Sequence, residues 1–169
     1  MYSDPNSVKR IASLGAGPIG GGWTAHFLAR GYDVTAYLHD ESETSSFMSI
    51  LKTAWVSLTE LGLARDASME RLRLVTDLEE ALDGAEFVQE SGPERLEVKQ
   101  ELYSEMGKIL PPSIIIGSST SGLMMTDIQS DCSTPERTVI GHPFNPPYLL
   151  PLVEIVGGKR TAPEAIAWA

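Results

Sequence analysis

Cysteine is nearly absent. Cys132 is the single one, which excludes an internal disulfide and fits a reducing compartment; it reads as a bystander in a polar loop. Long apolar runs are missing too. None approaches the roughly 20 residues that cross a bilayer, and the opening "MYSDPNSVKR" has no signal-peptide core. Positive charge is scarce: 13 Lys and Arg stand against 23 Asp and Glu, for a net charge of −10. With no basic stripe anywhere, a phosphate-backbone partner is excluded. Internal repeats, low-complexity tracts and dividing linkers are absent as well. What remains is 169 residues, 42% apolar and 21% charged, enough for one domain with a proper core. The expectation is a soluble cytoplasmic protein that binds neither nucleic acid nor membrane, with no metal site.

Apolar, β-rich runs alternate with helical patterns. "RIASLG", "DVTAYL", "RLRLVT", "AEFVQES", "SIIIGSS" and "RTVIGHPF" read as strands, and residues 18–30, 42–61, 77–83 and 94–110 as helices. Glu97, Glu101 and Glu105 in the last of these form a solvated face at spacing four. Continuous apolar strands alternating with helices predict an α/β fold, a doubly wound, mostly parallel sheet covered on both faces. Near the end, Thr161, Pro163 and Glu164 suggest a helix start with a capping box. The pattern stops at Ala169 about two turns later without a C-cap. The expectation is a domain over 1–158, with 159–169 opening a helix that leads to a further, helical domain.

Between the first strand and helix lie Gly15, Gly17, Pro18, Ile19 and Gly20, in G-x-G-x-x-G spacing. The first glycine allows a tight turn, the second lets a pyrophosphate approach the backbone, and the third lets helix and sheet pack closely. The helix N-terminus adds free N–H groups and partial positive charge. The second strand of such a unit usually ends in an acid for the adenosine ribose. Here Leu38 and His39 come first, and the nearest acid is Asp40.

A second constellation lies further on. "GSSTSGL" follows the strand "SIII", and "GHPFNPPYLLPLVEIVGG" carries His142, a Pro-rich reversal, and an apolar run that returns Glu154. A histidine beside a carboxylate is oriented by it and favoured in its charged form. From residue types alone, a structural histidine and an acid–base pair are equally open readings.

"GAGPIGGGW", "SSTSGL", "GHPFNP" and "PLVEIVGG", in this order and spacing, resemble the NAD-binding domain of the 3-hydroxyacyl-CoA dehydrogenase family. "FVQESGPERLEVKQEL" and "HPFNPPYLLPLVEIVGG" resemble its carnitine-dehydrogenase branch most, with the L-gulonate dehydrogenase (lambda-crystallin) branch next. The resemblance implies NAD as cofactor. It implies His142 as acid/base, Glu154 as its orienting carboxylate, and Ser121 as hydrogen-bond donor to the reacting oxygen. Glu90, Lys99 and Asn145 match positions near the nicotinamide. Leu38 departs from the usual ribose-binding acid, so NAD is expected to bind more weakly than in relatives, with Asp40 as a partial substitute. The family's helical domain would close the cleft and form a homodimer.

Acyl-CoA members of the family are lysine-rich between the second and third strands. "LTELGLARDASMERL" sets Arg65 and Arg71 against Glu60, Asp66 and Glu70, which points to a small, carnitine-like hydroxy acid instead. Trp23, Trp55, Phe144 and Tyr148 are the aromatics available to hold a quaternary ammonium. The alternatives are a 3-hydroxyacyl-CoA dehydrogenase proper and a non-catalytic, crystallin-like nucleotide binder.

Overall fold

All six apolar runs form strands, and the run after the Pro-rich reversal adds a seventh. The computed structural model describes residues 2–169. Its strands are β1 (Arg10–Leu14), β2 (Asp33–Tyr37), β3 (Leu72–Val75), β4 (Phe87–Glu90), β5 (Ile115–Ser118), β6 (Thr138–Pro143) and β7 (Val153–Gly157). The helices are α1 (Pro18–Ala29), α2 (Thr44–Leu61), α3 (Leu78–Leu82), α4 (Leu96–Ile109), α5 (Met125–Ile128) and α6 (Pro163–Trp168). Within the described residues these strands make one seven-stranded sheet in the order β3-β2-β1-β4-β5-β6-β7. Every neighbouring pair is parallel except β6 with β7. The strand order reverses between β1 and β4, which opens a crevice beyond their carboxyl ends.

The central strands are largely apolar because both faces are covered, with Ser13, Gln89, Glu90 and Ser118 as buried polar exceptions. Ile11 joins a core with α1 and α2, whereas Ala12 and Leu14 join a second core with α3, α4 and α5. α2 buries Phe47, Leu51, Ala54 and Leu58 at helical spacing. α1 is buried nearly all round, and its extra glycines explain how it fits. A Cβ on Gly21 would lie 2.7 Å from Ile50 Cγ2, and one on Gly22 would lie 2.9 Å from Pro147 Cδ. Close approach to α2 and to the 146–148 turn offsets the propensity cost of about 1 kcal/mol per glycine.

Two local readings change. Cys132 is buried, 2% exposed, in the second core: its loop is polar, but the side chain turns inward. α6 starts at Pro163, as Pro at N1 predicts, yet its N-cap is Ala162 with no side-chain cap. The Thr161 hydroxyl instead donates to Thr138 O (2.7 Å) and accepts from Gly158 N–H (2.8 Å), so no capping box forms. α5 had no periodic signal because it is a single turn. Arg137 is fully buried, and its guanidinium donates to Thr134 Oγ1 and to the carbonyls of Met106, Leu110, Pro111 and Ile114. It thereby closes the end of α4, where carbonyls lack partners. Glu97, Glu101 and Glu105 are exposed, as expected.

Candidate active site

The glycine turn leaves β1 at the crevice. Gly15 has φ +119, a conformation that a side chain rarely tolerates, and a Cβ there would collide with the Ser91 carbonyl. A Cβ on Gly20 would strike the Gly15 carbonyl, whereas one on Gly17 would meet nothing within 4 Å. Two of the three glycines therefore let the chain fold on itself, and Gly17 keeps open space at the mouth of α1. That mouth has no side-chain cap, so the first-turn N–H groups remain available to an anion. Free N–H groups facing open space at the N-terminus of a 12-residue helix suit a pyrophosphate.

At the adenosine side, Leu38 is 1% exposed and packs in the α1–α2 core. Its backbone N–H continues the ladder to Val75 O (2.9 Å). Asp40 is exposed and accepts the Ser42 N–H at 2.8 Å, capping the turn at Glu41–Glu43. Hydrogen bonding from Ser42 holds its carboxyl below the ordinary range, so Asp40 is anionic but has one oxygen committed.

Beneath the crevice lies a buried ion pair. Glu90, at the end of β4, accepts from Lys99 Nζ (2.6 Å) and Gly92 N–H (2.6 Å) through Oε1, and from Ser118 Oγ (2.7 Å) through Oε2. Glu90 and Lys99 are 0% and 1% exposed. They therefore support the crevice from below instead of lining its surface. Burial first, and then the Glu90 charge, pushes the adjacent Tyr103 hydroxyl well above its ordinary pKa.

Sequence reasoning passed over Glu94. Its Oε1 collects the Thr120 hydroxyl and the N–H groups of Ser121 and Gly122 (both 3.2 Å), and its Oε2 lies 3.8 Å from Lys99 Nζ. One carboxylate thus shapes the "TSG" turn and leaves Ser121 exposed at the rim. The only signal was the run E-x-x-x-E-x-x-x-x-K from Glu90 to Lys99, which also reads as an ordinary charged helix start. Burial of Glu94 raises its carboxyl pKa, but the bonds from Thr120, Gly122 and Ser121 and the Lys99 charge outweigh that, so the net shift is downward. A depressed carboxyl stabilises the fold above its unfolded value and loses that contribution as pH falls through the folded value. The Ser121 turn should therefore hold above the ordinary glutamate value of 4.5 and loosen below it. Amide exchange at Ser121 and Gly122, corrected for intrinsic rates, should lose protection there in the wild type. Glu94→Gln should remove the pH dependence; unchanged dependence in that variant would assign it to another group.

His142 stands opposite Glu154 in the antiparallel β6–β7 register, and His142 Nδ1 lies 2.8 Å from Glu154 Oε2. With Nδ1 engaged, Nε2 is the ring nitrogen left for other chemistry. The two side chains are 27% and 58% exposed. Ser121 lies just past β5, the neighbour of β6, at the same carboxyl end of the sheet as His142. Among the described residues, no hydrogen bond joins the two side chains. Asn145 is exposed in the reversal after β6. Of the four aromatics, Trp23 is core, Trp55 and Tyr148 pack partly buried against it, and Phe144 is 39% exposed. The Phe144 ring centroid is 5.9 Å from that of His142.

Comparison with known proteins gives concordant results. The family model described as "3-hydroxyacyl-CoA dehydrogenase, NAD binding domain" matches residues 10–169. An L-carnitine dehydrogenase of Streptomyces coelicolor is 53% identical over 167 residues, covering 99% of this chain and 52% of the relative. One from Pseudomonas aeruginosa is 47% identical over 159 residues, covering 94% and 50%. Among solved structures, 3-hydroxybutyryl-CoA dehydrogenase from Escherichia coli superposes with a TM-score of 0.86 at 30% identity, over 95% of this chain and 35% of that one. An NAD+-dependent pyridine-carboxylic-acid dehydrogenase (FHMPC 5-dehydrogenase) also gives a TM-score of 0.86, at 33% identity over 95% and 52%. The chain spans about half the length of the curated relatives it matches.

Proposed function

Since the chain belongs to the 3-hydroxyacyl-CoA dehydrogenase family through its NAD-binding domain, we propose that it works in an NAD-dependent dehydrogenase that oxidises the 3-hydroxyl of a small, carnitine-like hydroxy acid. The His142–Glu154 pair, 2.8 Å apart at the carboxyl end of the sheet that carries the glycine turn, is the observation that carries this reading. NAD, when bound, supplies the hydride acceptor. Gly17 and the open end of α1 would hold its pyrophosphate. His142 takes the hydroxyl proton at Nε2 and returns it in the reverse direction, since an imidazole nitrogen can both accept and donate a proton. Glu154 keeps Nδ1 protonated and stabilises the imidazolium. Ser121 donates a hydrogen bond to the reacting oxygen, held in place through Glu94. Asn145 stands at the same end, where the resemblance sets the nicotinamide.

The substrate class follows from the charges. Arg71 is engaged by Asp33 (2.7 Å) and the Asp66 carbonyl (2.9 Å) and Arg73 by Glu80, so two of the cations in the β2–β3 region are already committed, which disfavours the phosphates of CoA. Glu154, 2.8 Å from the His142 ring, and the exposed Phe144 ring, 5.9 Å from it between centroids, give His142 an anionic and an aromatic neighbour, which favours a cationic substrate. His142 and Glu154 stand open to water, so turnover needs a cover such as a helical domain following residue 158, which would also form the homodimer. The single buried thiol agrees with a cytoplasmic location.

The test is titration and turnover together. The 169-residue chain should bind NADH, bind NADPH at least tenfold more weakly, and oxidise carnitine slowly or not at all. Joined to the second half of an L-carnitine dehydrogenase, it should oxidise carnitine in preference to 3-hydroxybutyryl-CoA. Preference for the CoA ester would overturn the substrate class, and no NADH binding would leave a non-catalytic protein.

Position 38 gives a further expectation. Asp40, Glu41 and Glu43 surround the adenosine side with negative charge, which repels a 2′-phosphate. Because Leu38 packs in the α1–α2 core, Leu38→Asp should bury a carboxylate without a partner and lose on the order of 3 kcal/mol of stability, with the NAD affinity of the folded variant close to that of wild type. Urea unfolding and NADH titration check this, and clearly tighter NAD binding would mean that position 38 meets the ribose after all.

A further inference from the structure

Gln89 is 3% exposed on β4, a buried amide between Val88 and Glu90 that the chemistry above does not use. Its Nε2 donates to Ser119 Oγ (2.8 Å) and to Gly141 O (3.2 Å). A backbone carbonyl can only accept, which fixes which way the amide faces. Two glycines leave room for it: a Cβ on Gly117 would lie 2.8 Å from Gln89 Oε1, and one on Gly141 would lie 3.5 Å from it. The β5–β6 pairing ends at Ser118–Ile140, so the next carbonyl of β6, one residue before His142, is held by this side chain. The connection continues through Ser119 Oγ to Ser91 Oγ (2.8 Å), and the Ser91 carbonyl is the group against which Gly15 packs. An unbroken line of contacts therefore runs from the pyrophosphate turn to the strand that bears the acid/base.

We propose that Gln89 is a positioning residue that sets the distance between the NAD-binding turn and His142. The inference rests on the dehydrogenase reading and adds to it a residue that touches neither substrate nor cofactor. The hydride leaves the substrate carbon and the proton leaves the hydroxyl oxygen bonded to it, so acceptor and base must keep a fixed spacing. Displacements of about an ångström are costly in such reactions. Glu154 fixes the His142 ring from the β7 side, and Gln89 fixes its backbone from the β5 side.

Gln89→Met, similar in volume but without the amide, tests this. In the turnover-competent protein kcat should fall about tenfold or more, with KM for NAD and NADH affinity within threefold of wild type. The 15N resonances of the His142 imidazole should shift in the NADH-bound chain. Ser119→Ala, which removes both bonds of the Ser119 hydroxyl at an only partly buried site but leaves Gln89 on the Gly141 carbonyl, should show a smaller effect in the same direction, and it decides the matter if Gln89→Met does not fold. A kcat within twofold of wild type, or a loss of NADH affinity equal to the loss of kcat, overturns the proposal. If the chain joined to a dehydrogenase second half binds NADH yet oxidises no hydroxy acid, the dehydrogenase reading fails by itself. The imidazole resonances then decide: unmoved they refute the positioning role, and moved they uphold it.

Discussion

His142→Gln lowers kcat by about 10²–10⁴-fold, the scale of losing a general acid/base, while NADH affinity stays within threefold. This is the expected result in the form of the protein that turns over. Glutamine can still meet Glu154 through its amide, so the rim of the site survives, but it cannot accept a proton from the hydroxyl. The loss should be equal in both directions, because one group accepts and returns the same proton. Glu154→Gln should cost less. The ring keeps a partner at 2.8 Å or so of Nδ1, but the imidazolium loses its counter-charge. Stopped-flow formation of NADH measures both variants, with fluorescence titration as the control for binding. Turnover by His142→Gln within threefold of wild type would remove His142 from the chemistry. A matching loss of NADH affinity would make it a cofactor-site residue instead.

Lys99→Met should be the most destabilising single change at the site, by about 3–5 kcal/mol. That corresponds to a drop in Tm on the order of 10 °C for a chain of this size. The ammonium and the Glu90 carboxylate are 2.6 Å apart with side chains 2% and 0% exposed, so removing one leaves the other charged in a dry setting. Glu94, 3.8 Å from the same nitrogen, would lose its cation too. The double variant Glu90→Gln/Lys99→Met should recover part of the loss, because no buried charge is then unpaired. The glutamine carbonyl would still accept from Gly92 N–H, and its NH2 would donate to the Ser118 hydroxyl, which can accept as well as donate. Urea unfolding of the wild type, both single variants and the double variant gives the coupling between the two residues. If Lys99→Met costs under 1 kcal/mol, or if the double variant is the sum of the singles, the pair does not act as a unit.

Some of this was determined by the sequence alone, because the cause is local. A parallel strand covered on both faces must be apolar at successive positions, so the runs at Ile11, Val34, Val88, Ile115 and Val139 announce themselves. The glycine turn is equally legible. Gly15 needs a backbone that other residues avoid, and Gly20 has no room for a Cβ, whatever the rest of the chain does. His142 and Glu154 could be named as partners from the reversal between them. Only the β6–β7 register decided that they meet: a slip of one residue would have put them on opposite faces of the sheet. The supporting groups were harder to read for a different reason. Glu90 and Lys99 came only through the family resemblance, Glu94 stays partly exposed, and Gln89 and Arg137 carry side chains that usually mark a surface, with nothing adjacent in the chain to announce their burial. Glu94 shapes a turn 26 residues away, Gln89 reaches a carbonyl 52 residues away, and Arg137 closes a helix that ends 27 residues before it. Desolvating a polar group is tolerable only where partners are already in place, and those partners exist only once the crossovers have brought the strand ends together. Leu38 shows the converse. Its place at the end of β2 could be read from the sequence, but whether its side chain faces cofactor or core was settled by α2 packing Phe47 and Leu51 into the same core.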